Sequence, residues 1–407
     1  MKLTHLLIFL LIFLFVKPEI SSGINFNLPS KPTGFIHRDG KCLKDSNNTI
    51  VKLRGVNLGG WLLWEGWIWG DGFKSQTKII ESLKQIAGEA EVNKFRNSIN
   101  HNFISGDDIR QLALSKFNVV RVPFNYRLFM SAKDSISNTA IGWNILDSLV
   151  SWCKKYGIYI ILDMHAAPGG QSNFFIADPE KTNKFWKTPS QQQLTIDLWK
   201  AIVKRYRDNK TIAGYDLLNE PIPHSDNQLL EFYQKLIIAI RREDKNHLII
   251  LEGSGFAKNF KVFTSLPDSN MAFSFHLYTW FGEYPAKKIN NYQLLSEKFD
   301  VSVWCGEWGE NDYDIIKKTL SVFELSHNNI SGWAFWTWKK VPNRFPCLTE
   351  IITTAAWNKV IAYIKKPKKK NMITAAEAIE GMNEFSNSVL SKNNLKDAKM
   401  LEILKNY

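Results

Sequence analysis

Eight short apolar runs, each set off from the next by a stretch of helical periodicity, constrain this chain more than any other feature of it. The first is Lys52 to Trp61, which runs into a glycine-rich turn. Asn118 to Pro123, Ile158 to His165 and Thr211 to Asn219 follow, then His247 to Glu252, Met271 to His276, Val301 to Glu307 and Ser331 to Trp336. Their near-continuous apolar character is that of parallel strands covered on both faces. Between them, Ile79 to Ile99, Ile109 to Phe117, Trp143 to Tyr156, Leu194 to Tyr206 and Gln228 to Arg241 read as amphipathic helices. Further helices are placed at Tyr292 to Lys298, Tyr313 to His327 and Ile351 to Ile364.

Eight strand–helix pairs in one domain point to a (β/α)8 TIM barrel of the α/β class. An open doubly wound sheet fits less well, because no glycine-rich dinucleotide fingerprint follows an early strand. Gly34 to Val51 alternates around Asp39-Gly40, a hairpin signal, and such a hairpin closes one end of the barrel. Lys2, the apolar run Leu6 to Val16 and the small residues Ser21-Ser22-Gly23 make residues 1–23 a signal peptide. The apolar run is too short for a stable membrane span. The protein is therefore expected to be exported, extracellular or periplasmic, with residues 24–364 as the barrel domain and 365–407 as a lysine-rich linker and tail.

The formal charge of +13 is spread along the chain apart from Lys365 to Lys370, and no nucleic-acid motif accompanies it. A solvated basic surface with no nucleic-acid partner is the reading, and a monomer is expected. The four cysteines are expected free: Cys153 buried in a helix, Cys305 pointing inward with the parity of Glu307, and Cys42 and Cys347 near opposite ends.

Chemistry enters at the fourth run. Pro221 cannot donate to a ladder, so the strand stops there and leaves Glu220 at its carboxyl end. In parallel barrels that end carries the ligand site. Arg121, His165, Asn219, His276, Tyr278, Glu307 and Trp336 gather at the same end of other strands. Glu252 and Glu310 are rival carboxylates, and Glu65 and Glu283 lie in loops. No cluster has metal-ligand spacing, so neither a metal nor a cofactor is expected. Fifteen tryptophans are more than packing ordinarily needs, and Trp61, Trp64, Trp67 and Trp69 crowd one loop, as a sugar-binding cleft would use them.

From Gly34 to Ile364 the chain resembles glycoside hydrolase family 5, the cellulase-like barrels with catalytic glutamates after strands 4 and 7. The resemblance rests on Arg54-Gly-Val-Asn-Leu-Gly-Gly-Trp61, Val120-Arg121-Val-Pro, Leu162-Asp-Met-His165, Asn219-Glu-Pro, His276-Leu-Tyr278, Gly306-Glu307-Trp308 and Gly332-Trp-Ala-Phe-Trp336. The first motif, with Ala167-Pro168-Gly169-Gly170-Gln171, is similar to the exo-β-1,3-glucanase branch, from which the chain departs around Trp64-Glu-Gly-Trp67 and after Glu307.

The resemblance implies a retaining β-glycoside hydrolase acting on β-glucan polysaccharide or oligosaccharide. Glu307 would be the nucleophile and Glu220 the acid/base, roughly 5 Å apart. Arg121 would sit against Glu307 and hold it ionised, with Tyr278 bonded to the same carboxylate. Asn219 would bind the sugar 2-hydroxyl, His165 and His276 would form the polar floor, and Trp336 would stack under the sugar, followed by a cis peptide. Trp61, Trp64, Trp67, Trp280, Phe281 and Trp308 are expected to line the cleft. A glucan transglycosylase with the same two glutamates and a non-catalytic carbohydrate-binding protein are the alternatives. The linkage stays open between β-1,3 and β-1,4, and mannan remains a candidate.

Overall fold

The eight apolar runs fold as the strands of one closed, parallel barrel: β1 Leu53–Asn57, β2 Val119–Asn125, β3 Tyr159–Ala166, β4 Ile212–Asp216, β5 Leu248–Glu252, β6 Met271–Leu277, β7 Ser302–Trp308 and β8 Ile330–Phe335. Each pairs with the next in sequence, and β8 closes the ring on β1, with Phe335 opposite Val56. The structure, a computed structural model, describes residues 29, 31–131, 135–179, 184–279, 285–325, 329–368 and 371–407. The proposed signal peptide at 1–23 lies outside the described residues.

Alternate residues of each strand face the lumen, so the lower barrel is filled by Leu53, Val119, Ile161, Ala213, Ile250, Trp304 and Ala334. Ile36 and Leu43 join this cluster from the hairpin His37–Asp39 and Cys42–Lys44, which plugs the amino end as its Asp39-Gly40 turn implied. The opposite residues meet the surrounding helices in a second, larger apolar layer. The helix expected over Ile79 to Ile99 is two helices, Gln76–Ala87 and Glu89–Asn102, because Gly88 between them takes φ +81° and breaks the register.

The residues after Lys365 pack back on the barrel. Helix Ala375–Ser388 lays Phe385 flat against Trp357 (4.0 Å, 12°) and beside Trp69 (5.2 Å). Strand Asn394–Lys396 pairs antiparallel with Thr349–Ile351. The buried Lys339 amine binds the carbonyls of Phe103 and Val389 and pairs with Asp108 at 2.9 Å, tying this region to a helix start on the barrel. Among the described residues no helix is long and apolar enough to cross a membrane. All four cysteines are unpaired.

Candidate active site

At the carboxyl end of the barrel a single guanidinium organises the floor. Arg121, on β2 and wholly buried, donates to Asn57 (3.1 Å), Asp216 (2.9 Å), Asn219 (2.9 Å), Glu252 (3.0 Å) and Glu307 (2.8 Å), and Asp163 lies 3.2 Å away. These partners come from β1, β3, β4, β5 and β7 and from the residues just past β4. Five donors in one plane are what guanidinium offers and an ammonium does not.

Glu307 reaches the lumen by a local irregularity. Phe275 pairs with Cys305 but His276 pairs with Glu307, so β7 carries one extra residue, Gly306. A Cβ at Gly306 would fall 2.3 Å from Ser274 Oγ, so a larger residue would clash. The insertion turns both Trp304 and Glu307 inward and leaves Cys305 in the outer, helix-facing layer. Cys305 is buried, but the expectation that it shares the parity of Glu307 fails, because counting by twos does not survive a bulge. Glu307 Oε1 accepts from Arg121 (2.8 Å) and Oε2 from the Tyr278 hydroxyl (2.9 Å).

Glu220 follows β4 in a left-handed backbone conformation, φ +44°. Its N–H donates to Glu252 Oε2 (2.6 Å), and its Oε1 is 2.7 Å from His276 Nδ1. An oxygen of Glu220, one of Glu307 and a nitrogen of His276 all lie within 4.8 Å of one another. Both carboxylates line a cavity of about 540 Å³.

Burial and charge divide the acids of this floor into two kinds. Burial pushes Glu65 and Asp216 well above the usual carboxylate range, and Asp163 up to about 8, so these acids hold their protons near neutral pH. Burial opposes the charge on His276 too, but Glu252 and Glu307 more than compensate, and its pKa stands well above that of a free imidazole. Burial pushes Glu252 up, yet His276 and then Arg121 bring it below the ordinary value. Glu307 ends above its ordinary value: burial outweighs His276 and Arg121, and Glu220 adds to the rise. The geometry expected for Arg121 is met, but it faces four acidic side chains at once and does not by itself depress Glu307. A cation could collect among Glu220, His276 and Glu307, yet His276 is already positive and Arg121 stands beside Glu307, which disfavours more positive charge there.

His165 is neutral, its pKa pushed down to about 4 by burial. Its Nδ1 meets Asp163 Oδ2 at 2.7 Å and its Nε2 meets Asn219 Nδ2 at 3.2 Å. Because Asn219 Oδ1 accepts from Arg121, the amide is oriented and keeps a second N–H free of these two contacts. Trp336 precedes a cis peptide and lies parallel to His165 (5.5 Å, 16°), forming a flat wall of the cavity.

The aromatic expectations divide. Trp67 lines the cavity and stacks near Trp336 (6.4 Å, 25°). Trp61 does not: its indole donates to the carbonyl of Asn100 and the ring is buried. Trp308 is buried against Phe323, Trp333 and Phe335, because it follows Glu307 on β7 and faces the helices. Trp64 packs on Trp69 (4.2 Å). This loop buries most of its tryptophans to anchor itself and presents one. Trp280, Phe281 and Glu283 lie outside the described residues. Glu310 accepts from Thr279 and does not line the cavity.

The sequence reading does not name Asp163 or Asp216 as partners of Arg121, although Asp163 shares a strand face with His165. Glu65 was noted only as a loop acid. It lines the cavity with Oε2 accepting from the Trp67 indole (2.7 Å) and Oε1, which makes no hydrogen bond, 3.8 Å from His165 Nε2. A lone acid inside a tryptophan-rich run was the available signal.

Residues 83–341 match the model of the Cellulase (glycosyl hydrolase family 5) family. A β-xylosidase of Phanerodontia chrysosporium is 30% identical over 335 residues, covering 73% of this chain and 69% of that protein. A probable glucan 1,3-β-glucosidase A of Aspergillus fumigatus is 27% identical over 355 residues, covering 72% and 83%. The crystal structure of a rutinosidase from Aspergillus niger shares the fold with a TM-score of 0.58 at 20% identity, over 72% of this chain and 91% of that one.

Proposed function

Because the chain belongs to glycosyl hydrolase family 5, we propose that it cleaves β-linked glucosides, β-glucan among them, with retention, using Glu307 as nucleophile and Glu220 as acid/base. The observation that carries this reading is that an oxygen of Glu220 and one of Glu307 lie within 4.8 Å of each other at one cavity. Retaining pairs stand about 5 to 5.5 Å apart, and inverting pairs need room for a water between them.

A Glu307 oxygen attacks the anomeric carbon as the C1–O bond breaks, and the departing oxygen takes the proton of Glu220. The covalent glycosyl-enzyme then yields to water, which gives a proton back to Glu220 while Glu307 leaves as carboxylate. Arg121 and Tyr278 accompany Glu307 through both steps, since each bonds one of its oxygens. His276 joins the two centres: its Nδ1 is 2.7 Å from Glu220 and 3.6 Å from Glu307. Asn219 offers its remaining amide N–H to the 2-hydroxyl, a contact that tightens as charge builds on the ring. Trp336 and Trp67 supply the face on which the sugar lies, and protonated Glu65 supplies a donor beside them.

Export directed by residues 1–23 belongs to the same proposal, and sequencing the amino terminus of protein recovered from the medium tests it. For the chemistry, proton NMR of the first product from an aryl β-glucoside should show the β-anomer before mutarotation. An initial α-anomer would exclude the double displacement. Sugar release from laminarin, carboxymethyl cellulose and mannan ranks the polysaccharides.

A further inference from the structure

We propose that the leaving-group half of the cleft is built for an apolar aglycone, an aryl or long-chain alcohol carried on a β-linked sugar, and that such glycosides are substrates. The inference rests on Glu220 and Glu307 acting as described above and names the kind of molecule they act on.

The cavity has two unlike halves. Glu65, His165 and Trp336 make one a polar platform, suited to a sugar. The other is made by Phe174, Phe175, Ile176 and Phe256, with Phe73 at its outer edge. This second wall hangs on the residues next to the proton donor: Gly255 N–H donates to the Pro221 carbonyl (3.0 Å), and Ile222 N–H to Gln171 (3.1 Å). Glu220 must face the departing oxygen, so what lies beside it is the leaving group's side.

Backbone conformation is spent on this wall. Gly255, Phe256 and Ala257 take φ +64°, +64° and +56°, three successive left-handed residues of which two carry a Cβ. Such conformations are costly for L-residues and persist where the surroundings enforce them. Here they set the Phe256 ring edge-on to Phe174 (4.8 Å, 75°). Phe73 packs on Phe175 (5.4 Å). Even so packed, Phe174 remains 47% exposed and Phe73 60% exposed. Uncovered aromatic surface continuous with a reaction cavity marks a contact for something apolar. None of Phe73, Phe174, Phe175, Ile176 and Phe256 carries a side-chain hydrogen-bonding group. Lys258 and Lys288 also line the cavity, but a second sugar laid against these five side chains would lose water from its hydroxyls without finding partners among them, whereas an aryl or alkyl group loses nothing there.

Methyl, butyl and octyl β-glucosides test this below micelle-forming concentration, because their leaving groups are alike in basicity and differ in apolar length. The octyl glucoside should exceed the methyl in kcat/KM by more than about ten-fold, and should exceed laminaribiose and cellobiose. Phe174→Ser combined with Phe256→Ser should bring octyl and methyl within about two-fold of each other, while Phe174→Leu keeps most of the preference. An octyl glucoside no better than methyl, or worse than the disaccharides, overturns the proposal and leaves the two carboxylates standing. Turnover surviving in Glu307→Gln would overturn the catalytic reading instead, and no cleavage of any of these glucosides would overturn both.

Discussion

The backbone N–H of Glu220 donates to Glu252 Oε2 over 2.6 Å. Glu220 sits at φ +44°, so its position depends on what holds that amide. The other Glu252 oxygen accepts from Arg121 (3.0 Å) and faces His276 Nε2 (3.1 Å). One buried carboxylate thus fixes the backbone of Glu220 and the Arg121 and His276 side chains beside it. Glu252→Ala should lower kcat by about 10²-fold, the cost of a misplaced reacting group, with a smaller change in KM. A variant with wild-type kcat would remove Glu252 from this positioning role.

The strands and their order were legible because parallel barrel strands are apolar on both faces, and Ile158 to Leu162 could hardly be anything else. The placement of Glu220 followed from Pro221, which ends a ladder on any fold. Neighbourhoods made in three dimensions were not legible. Nothing local distinguishes Trp61, which turns to Asn100, from Trp67, which turns to the cleft. Gly306 looked like part of a motif, and only the pairing of His276 with Glu307 reveals it as the inserted residue that aims the carboxylate. Arg121 was found, but not that it serves four acids, because the competition for one cation is a property of the closed ring.

Glu220→Ala should slow alkyl β-glucosides far more than dinitrophenyl β-glucosides, since a poor leaving group needs the proton and a good one does not. The first should fall by about 10³-fold or more, and added azide should restore turnover of the second as the β-glycosyl azide. Steady-state rates across a leaving-group series check this. Equal slowing along the series would take the acid role from Glu220.

Arg121→Met would leave Asp163, Asp216, Glu252 and Glu307 around an apolar side chain. Removing one partner of a buried charged set costs about 3–5 kcal/mol, because the others remain desolvated. Arg121→Lys restores the charge but cannot span five hydrogen-bonded partners, so it should recover part of the stability and little of the activity. Denaturation midpoints and kcat for the two variants separate charge from geometry. Full activity in the lysine variant would show that charge alone suffices.

Phe385 lies flat on Trp357 and beside Trp69, which also supports Trp64 in the loop carrying Glu65 and Trp67. Phe385→Ala should cost about 3–5 kcal/mol by emptying that stack. Because the loop leans on it, KM should rise more than kcat falls. Thermal unfolding and steady-state kinetics of the variant read the two effects, and an unchanged Tm would mean that helix Ala375–Ser388 adds nothing to this end of the barrel.

Asp163 and His165 share a 2.7 Å hydrogen bond and carry pH dependences of opposite sign. Burial pushes Asp163 from 3.8 up to about 8, and His165 from 6.5 down to about 4. Folded Asp163 keeps a proton that the unfolded chain has lost, so its stabilisation is complete below 3.8 and is lost as pH rises through about 8. Folded His165 stays neutral where the unfolded chain is protonated, so its stabilisation is complete above 6.5 and is lost as pH falls through about 4. From about 4 to 6.5 the two slopes oppose each other and cancel. From 6.5 to about 8 only the Asp163 slope remains of the pair, about 2 kcal/mol at about 1.4 kcal/mol per pH unit. Glu65, Asp216 and His276, all raised, add to it with the same sign. Denaturant midpoints should therefore fall between pH 6.5 and 8, and Asp163→Asn should flatten that fall by about 2 kcal/mol. A wild-type protein that gains stability over this interval, or an asparagine variant with the wild-type slope, would mean that Asp163 is ionised in the folded barrel.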